Sequence, residues 1–472
     1  MQEMNESQTS VSLLGMISFS VADLHLAFFS FALGQYLLLF YETEVTLGIW
    51  YVTLGYIIYA LWNAVNDPLI GFITDRPRGY WQKWGKRFPL IIISSIPFVI
   101  SMAFIFSPLM WNPTTQPLLY LLWFVLSTCF FDTFFSILQT SHLAQYPELF
   151  RQDTERRNSG FWMMVMGLVG TALGALVPGV FIDYYNRGSY SVMGWVLGII
   201  GFIFFILYIY GHREPEALRS RYIKEQAQEQ QESFISVLRT MLKQKNFRVF
   251  LLIFFLDSII GVSLTASISY IVKYDLEMDA FMASVVLAGF IFGALGSMVP
   301  WLYYSQRLKN NRKMLIIGVF LNTIFLLPFM FTWDLLTLLI AAFILGIGGG
   351  ALRIGRNPVM ADVVDEAVLK SGKRIEGSLM GVYTFFNRLA LIAQGLIFAI
   401  VHELTQFDPT VDPFDPINPT HQSELALLGI RIHTAFIPMV LCLLGLIVFY
   451  RVYDITPDKS DHIKTQLQKV GL

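Results

Sequence analysis

Five ionisable residues stand inside long apolar runs: Asp23, Asp67, Asp132, Asp257 and Arg388. A charge near the centre of a bilayer costs at least ~2.5–3.5 kcal/mol, so each is a candidate for function. Asp67 lies in Trp62-Asn63-Ala64-Val65-Asn66-Asp67-Pro68. In a helix Asn63 and Asp67 share one face a turn apart, with Asn66 beside them. A carboxylate and amide oxygens so placed offer hard ligands to a small cation such as Na+, with Asp67 as the candidate metal ligand, or a place for a proton. Pro68 has no N–H, which also releases the Ala64 carbonyl. A polar clamp between helices would use the same groups.

Arg388 follows Thr384 by one turn in Tyr383-Thr384-Phe385-Phe386-Asn387-Arg388. A buried cation needs a carboxylate, and Asp67 and Asp132 are the available ones. The pair is either structural or a relay that solute and ion disturb. Asp132 is flanked by Phe130, Phe131, Phe134 and Phe135. Aromatic faces beside a carboxylate suit a sugar ring or an organic cation, and are also ordinary packing. Asp132, Arg388 and Thr384 are therefore assigned to the solute. Asp23 and Asp257 either line a water-filled cavity or pair with neighbouring helices, and His25, near Asp23, reads as a hydrogen-bonded core histidine. Two charge clusters lie at helix ends. Asp75-Arg76 is one; Asp362, Asp365 and Glu366, followed by Lys370, Lys373, Arg374 and Glu376, form the other. Opposed salt bridges between them, Arg374 included, would hold one side shut and break on opening.

The elements that position these residues follow from composition. Of 472 residues 55% are hydrophobic and 14% charged, with a mean hydropathy of +0.56. Soluble domains carry ~25% charged residues, so this is an all-α polytopic membrane protein. With 33 basic and 34 acidic residues, bulk charge does not point to nucleic acid. Cys129 and Cys442 sit in apolar runs and read as small core residues. Twelve apolar stretches of spanning length are predicted: 12–41, 47–75, 88–110, 117–146, 159–183, 191–211, 247–272, 281–304, 313–332, 335–360, 376–402 and 427–453. The first is too long for a cleaved signal and is expected to be retained. Basic residues crowd the even-numbered connections and the tail, while the odd-numbered ones hold only Arg187 and Lys273, with Arg431 just inside span 12. That asymmetry puts both termini in the cytoplasm. The polar stretch 212–246 divides two six-helix bundles, 1–211 and 247–472, a layout with the solute between the halves. The proline-punctuated segment 408–420 is expected to be an extended external loop.

Trp62 to Arg76 with Trp84-Gly85-Lys86-Arg87, and Ala361 to Glu366 with Gly372 to Gly377, resemble the signature segments of the glycoside–pentoside–hexuronide:cation symporters of the major facilitator superfamily. The animal sodium-dependent lysolipid symporters share the outline. The resemblance implies the major facilitator fold and sodium- or proton-driven symport by alternating access. The family's two span-2 acids match Asn63 and Asp67, its span-4 acid Asp132, and its span-11 base Arg388. The span-1 acid that contacts galactosides falls on Ala27, one turn after Asp23, and no arginine occurs between Asn158 and Asp183. Both departures count against galactosides and leave the symporter class intact.

The expected function is Na+- or H+-coupled symport of a sugar- or glycoside-like solute, with a lysolipid or amphiphile as the alternative. The sequence has no His-Glu-x-x-His, Gly-x-Ser-x-Gly or Walker A motif, so an enzyme is not expected. No cofactor beyond the coupling ion is expected. The expected partners are a small-molecule solute and membrane lipids, not nucleic acid, for a monomer in the cell membrane.

Overall fold

The computed structural model describes residues 11–75, 84–150, 152–216, 218–219, 242–371 and 376–470. Regular structure among these residues is helical throughout. In chain order the helices are α1 (Leu13–Glu44), α2 (Ile49–Asp75), α3 (Phe88–Phe106), α4 (Pro117–Leu149), α5 (Asp153–Phe181) and α6 (Arg187–Ile209). They continue as α7 (Lys245–Asp275), α8 (Ala280–Leu308), α9 (Asn311–Phe331), α10 (Leu335–Ser371), α11 (Glu376–Thr405), α12 (Glu424–Val452) and α13 (Pro457–Val470). Ten of these are long and apolar enough to cross a membrane: α1, α3 to α10, and α12. The other two long helices, α2 and α11, have 27 and 30 residues and carry Asp67 and Arg388 among further polar residues.

The packing repeats itself. Helix α1 lies along α5 and α6 as α7 lies along α11 and α12, α2 against α4 as α8 against α10, and α3 between α4 and α6 as α9 between α10 and α12. Among the described residues the most extensive packing between the two sets is α1 with α7, α2 with α11, and α5 with α8. The repeat extends to the backbone. Both α1 and α7 close on a π turn, Phe40–Glu44 and Ile271–Asp275, each followed by a residue in the left-handed region, Thr46 at φ 57° and Glu277 at φ 52°.

Close helix approach depends on residues without a Cβ. One added at Gly170 of α5 would stand 2.2 Å from the Leu24 carbonyl oxygen of α1, and one at Gly346 of α10 would stand 2.1 Å from the Phe290 carbonyl of α8. Both obstacles are backbone, so neither can swing aside. Gly170→Val is therefore expected to cost about 3 kcal/mol through overpacking, read as a lowered thermal midpoint of the purified protein. An unchanged midpoint would contradict the tight α1–α5 seam.

Several expectations need correction. Helix α10 runs about three turns past the expected boundary at residue 360, so Asp362, Asp365 and Glu366 lie within the helix and not at its end. The tail after α12 folds back as α13, whose Ile463 and Leu467, four apart, are buried. Segment 408–420 is not extended. Asp408, Asp412 and Asp415 each accept a backbone N–H two residues on, from Thr410, Phe414 and Ile417, and the Thr420 N–H reaches the Asp412 carbonyl at 2.9 Å. These local turns outcompete the extended form. The Tyr185 hydroxyl ties the segment down at the Val411 carbonyl, 2.8 Å away. His25 is fully buried but makes no hydrogen bond among the described residues; it packs between Phe29, Phe98, Phe204 and Tyr208.

At the face where the described chain begins and ends, Glu214 reaches back from beyond α6. Its carboxylate accepts the N–H groups of Lys86, Arg87 and Phe88 at 2.9, 2.7 and 2.9 Å, capping α3. Burial pushes the Glu214 carboxyl above the usual carboxylate range, and these three donors pull against that shift.

Candidate functional site

Three helices meet around one guanidinium. From α2, Asn63, Asn66 and Asp67 project on one face. From α4 come Asp132 and Ser136, again four apart. From α11 comes Arg388. Arg388 Nη1 donates to Asp132 Oδ1 at 2.9 Å and to the Asn63 amide oxygen, while Nη2 stands 3.1 Å from Asp67 Oδ2. Asn66 Nδ2 donates to Asp132 Oδ2 at 3.0 Å, and the Ser136 hydroxyl donates to Asp67 Oδ1 at 2.6 Å. Asp132 lies near the middle of the 33-residue α4.

The two acids differ in access. The Asp132 side chain is 1% exposed and that of Asp67 31%. Asp132 thus holds the guanidinium from inside, and Asp67 offers its carboxylate to the space between α2, α4 and α11. The neighbouring Asn63 Nδ2 is buried without a hydrogen-bond partner. Two carboxylates against one guanidinium leave a formal charge of −1 on the cluster. In a low-dielectric surround that excess favours one monovalent cation.

Sequence reasoning therefore has Asp67, Asn63, Asn66, Asp132 and Arg388 in one place. It missed Ser136, although a hydroxyl four residues after Asp132 shares its helix face. The side chains of Thr384 and Asp75 lie outside the described residues, as do Arg76 and Arg374 entirely. Among the described residues, Asp362 and Glu366 of α10 have partners within their own set of helices. Asp362 accepts from Asn311 Nδ2 at 2.8 Å and the Ser460 hydroxyl at 2.6 Å, with Lys464 Nζ at 3.7 Å. Glu366 meets Asn246, Lys370 and Lys459 at 2.7, 3.0 and 2.9 Å. The physical reason is α13, which brings Lys459, Ser460 and Lys464 within reach. Asp365 sits between the two acids on α10.

Asp23 joins a buried chain: His142 Nε2 is 2.9 Å from Asp23 Oδ2, and His142 Nδ1 is 2.9 Å from His212 Nε2. Asp257 accepts from Asn322 Nδ2 at 2.9 Å, and Arg356 lies over the Phe254 ring at 5.2 Å. On the outer flank of α2 and α4 an apolar groove of about 660 Å³ is lined by Leu61, Trp62, Val65, Cys129, Phe130 and Phe134. Cys442 is buried, and both cysteines are free thiols. Among the described residues no three His, Cys, Asp or Glu side chains are grouped to hold a metal ion.

A family profile described as MFS/sugar transport protein matches residues 18–457. The symporter YnaJ of Bacillus subtilis is 22% identical, covering 98% of this chain and 96% of its own. The sodium-dependent lysophosphatidylcholine symporter 1-A of Danio rerio is 20% identical over 98% and 90%. The glucuronide carrier protein homolog of Escherichia coli is 23% identical over 93% and 92%. Among solved structures, the nucleoside transporter NupG matches with a TM-score of 0.60 at 14% identity, covering 92% of this chain and 99% of that one, which establishes a shared fold.

Proposed function

The chain belongs to the MFS/sugar transport protein family, and from that membership we propose that it is a cation-coupled symporter of a small organic solute, working by alternating access. The observation that carries this reading is the cluster of charge −1 between α2, α4 and α11. Sodium or a proton at Asp67 neutralises it, with Asn63 and Asn66 as neutral oxygen donors. The solute binds beside Asp132, Arg388 and Thr384, and both ligands pull helices of the two halves together. Helices α1 to α6 and α7 to α12 form two six-helix bundles joined through 212–246. The basic face is cytoplasmic, with both termini there, in a monomer that spans the cell membrane twelve times and needs no further cofactor. Asp75 and Arg76 on one side and Asp362, Asp365, Glu366 and Arg374 on the other close the cytoplasmic side.

The solute class follows the glucuronide carrier homolog: a sugar or glycoside, for which Asp257, Asn322 and Arg356 offer further hydrogen-bonding groups. A second reading, a lysolipid, is favoured by the apolar groove along Trp62 and Phe130 next to a charged cluster, and by the zebrafish lysophosphatidylcholine symporter among the relatives.

A thermal-shift series on the purified protein tests both. Sodium or a lowered pH is expected to raise the midpoint, and the right solute to raise it further only with that ion present. At a hundredfold excess over Kd a ligand adds about 2.7 kcal/mol, a shift of several degrees. A glucuronide is expected to outperform lysophosphatidylcholine. Solute binding of equal strength in the absence of either ion would end the symport reading.

A further inference from the structure

We propose that the outer end of the molecule contains a proton-binding site, built from Glu42, His402 and His433, that is filled when the outer side is closed. The proposal rests on the alternating-access reading above and concerns residues remote from Asp67.

The π turn that ends α1 sends two carboxylates into the other half. Glu44 Oε1 is 2.7 Å from Lys273 Nζ of α7, and both side chains are at most 1% exposed. Glu42 Oε2 accepts the Tyr270 hydroxyl of α7 at 2.5 Å, and its Oε1 is 2.7 Å from His402 Nδ1 of α11. His402 Nε2 is then 3.2 Å from His433 Nε2 of α12, and His433 Nδ1 is 3.0 Å from the Ser267 hydroxyl of α7. Glu42, His402 and His433 are all buried. Phe398 stacks on His433 at 3.9 Å and Phe407 on His402 at 4.3 Å, so water has no easy way in.

Charge counting exposes the need for a proton. Two buried carboxylates face one buried ammonium. The other ionisable groups nearby do not correct the balance. On α7, Asp275 is bound by Arg431 of α12 at 2.9 Å, and Tyr274 is neutral. From α6 and its turn come Tyr190, Tyr184 and Tyr185, whose rings surround Glu44 and Lys273. Asp412, in the loop after α11, adds negative charge near Lys273, and Glu403 of α11 is exposed. The Glu44 Oε2 atom has no hydrogen-bond partner. Asp412 is partly exposed, so the fully buried excess is one negative charge; holding it is costly, and one added proton removes it.

The hydrogen-bond chain accepts that proton without losing a link. With neutral rings every donor points toward Glu42: Ser267 O–H to His433 Nδ1, His433 Nε2–H to His402 Nε2, His402 Nδ1–H to Glu42. When His402 becomes an imidazolium, its Nε2–H donates to His433 Nε2, the His433 hydrogen moves to Nδ1, and Ser267 turns from donor to acceptor. A hydroxyl serves in either role. The proton comes from outer water. Opening separates Glu42 on α1 from Tyr270, His402 and Lys273, and in water a carboxylate stands alone as an anion and an imidazole is mostly uncharged at neutral pH. Closure thus takes up one proton, and acid favours the closed form.

The test needs no solute. Spin labels are placed at Thr115→Cys and Trp333→Cys, on exposed connections of opposite halves, in a Cys129→Ala, Cys442→Ala background of the full chain. The ratio of short to long label distances is expected to fall as pH rises from about 5 to about 8, by up to tenfold per pH unit for one linked proton. Glu42→Gln, which removes the surplus anion, is expected to stay closed at every pH. His402→Gln, which keeps a donor toward Glu42 but cannot be protonated, is expected to lose the pH dependence. An interconverting parent whose ratio ignores pH, or a Glu42→Gln variant that follows pH as the parent does, overturns the proton site alone. A single unchanging distance in the parent at all pH values, with and without sodium, overturns the alternating-access reading with it.

Discussion

Arg388→Ala lowers stability by about 3–5 kcal/mol, because it strands Asp132, 1% exposed, against Asn66 with no other cation in reach among the described residues. Most of that loss is the cost of the abandoned carboxylate and not the worth of the pair. Combining Asp132→Asn with Arg388→Gln therefore restores most of the thermal midpoint, although it cannot restore transport. Asp67→Asn with Arg388→Gln restores less, since the Asp67 side chain, 31% exposed, already has partial access to water. The measurement is a double-mutant cycle on thermal unfolding in one detergent. Equal recovery by the two combinations would contradict the different roles assigned to the two acids.

Asp67→Asn, by contrast, leaves the fold in place and removes ion dependence. The amide keeps an oxygen toward the ion and can still meet the Ser136 hydroxyl, but the cluster becomes neutral: Asp132 and Arg388 then balance. The surplus charge that draws a cation is gone. Apparent affinity for sodium, or the proton dependence of uptake, is expected to weaken at least about a hundredfold, equivalent to ~2.7 kcal/mol. Ion titrations of solute uptake into proteoliposomes, alongside an unchanged unfolding midpoint, check this. Retained ion stimulation in a folded variant would remove Asp67 from the coupling step.

The meeting of Asp67, Asp132 and Arg388 was legible because a lone charge in an apolar helix is so costly that its partners can be deduced. The helices were legible for the same reason, from length and hydropathy. Helix α13 was harder: among its described side chains Ser460, Ile463 and Leu467 form the buried stripe, two of them apolar, and the polar remainder reads as tail. Lys459 and Lys464, which reach Glu366 and Asp362, come from that helix and so left no trace as their partners in the sequence. The assembly around Glu42 left still less trace. Glu42 and Glu44 fall just past the expected end of the first span, where a carboxylate looks solvated, and the π turn that carries them inward has no sequence signature. Lys273 and Arg431 look like exceptions to a charge rule until their acids are seen. His402 and His433 lie 31 residues apart on different helices, and nothing in either segment announces the other.

The matched turns at the ends of α1 and α7 also bear on how such a molecule arose. Glu42 and Lys273 occupy the same station, the third residue of each turn, with opposite charge. Two identical half-length polypeptides pairing about a symmetry axis would carry the same residue at both stations, carboxylate for carboxylate or amine for amine. Only after the two copies had drifted apart could these matched stations acquire both signs.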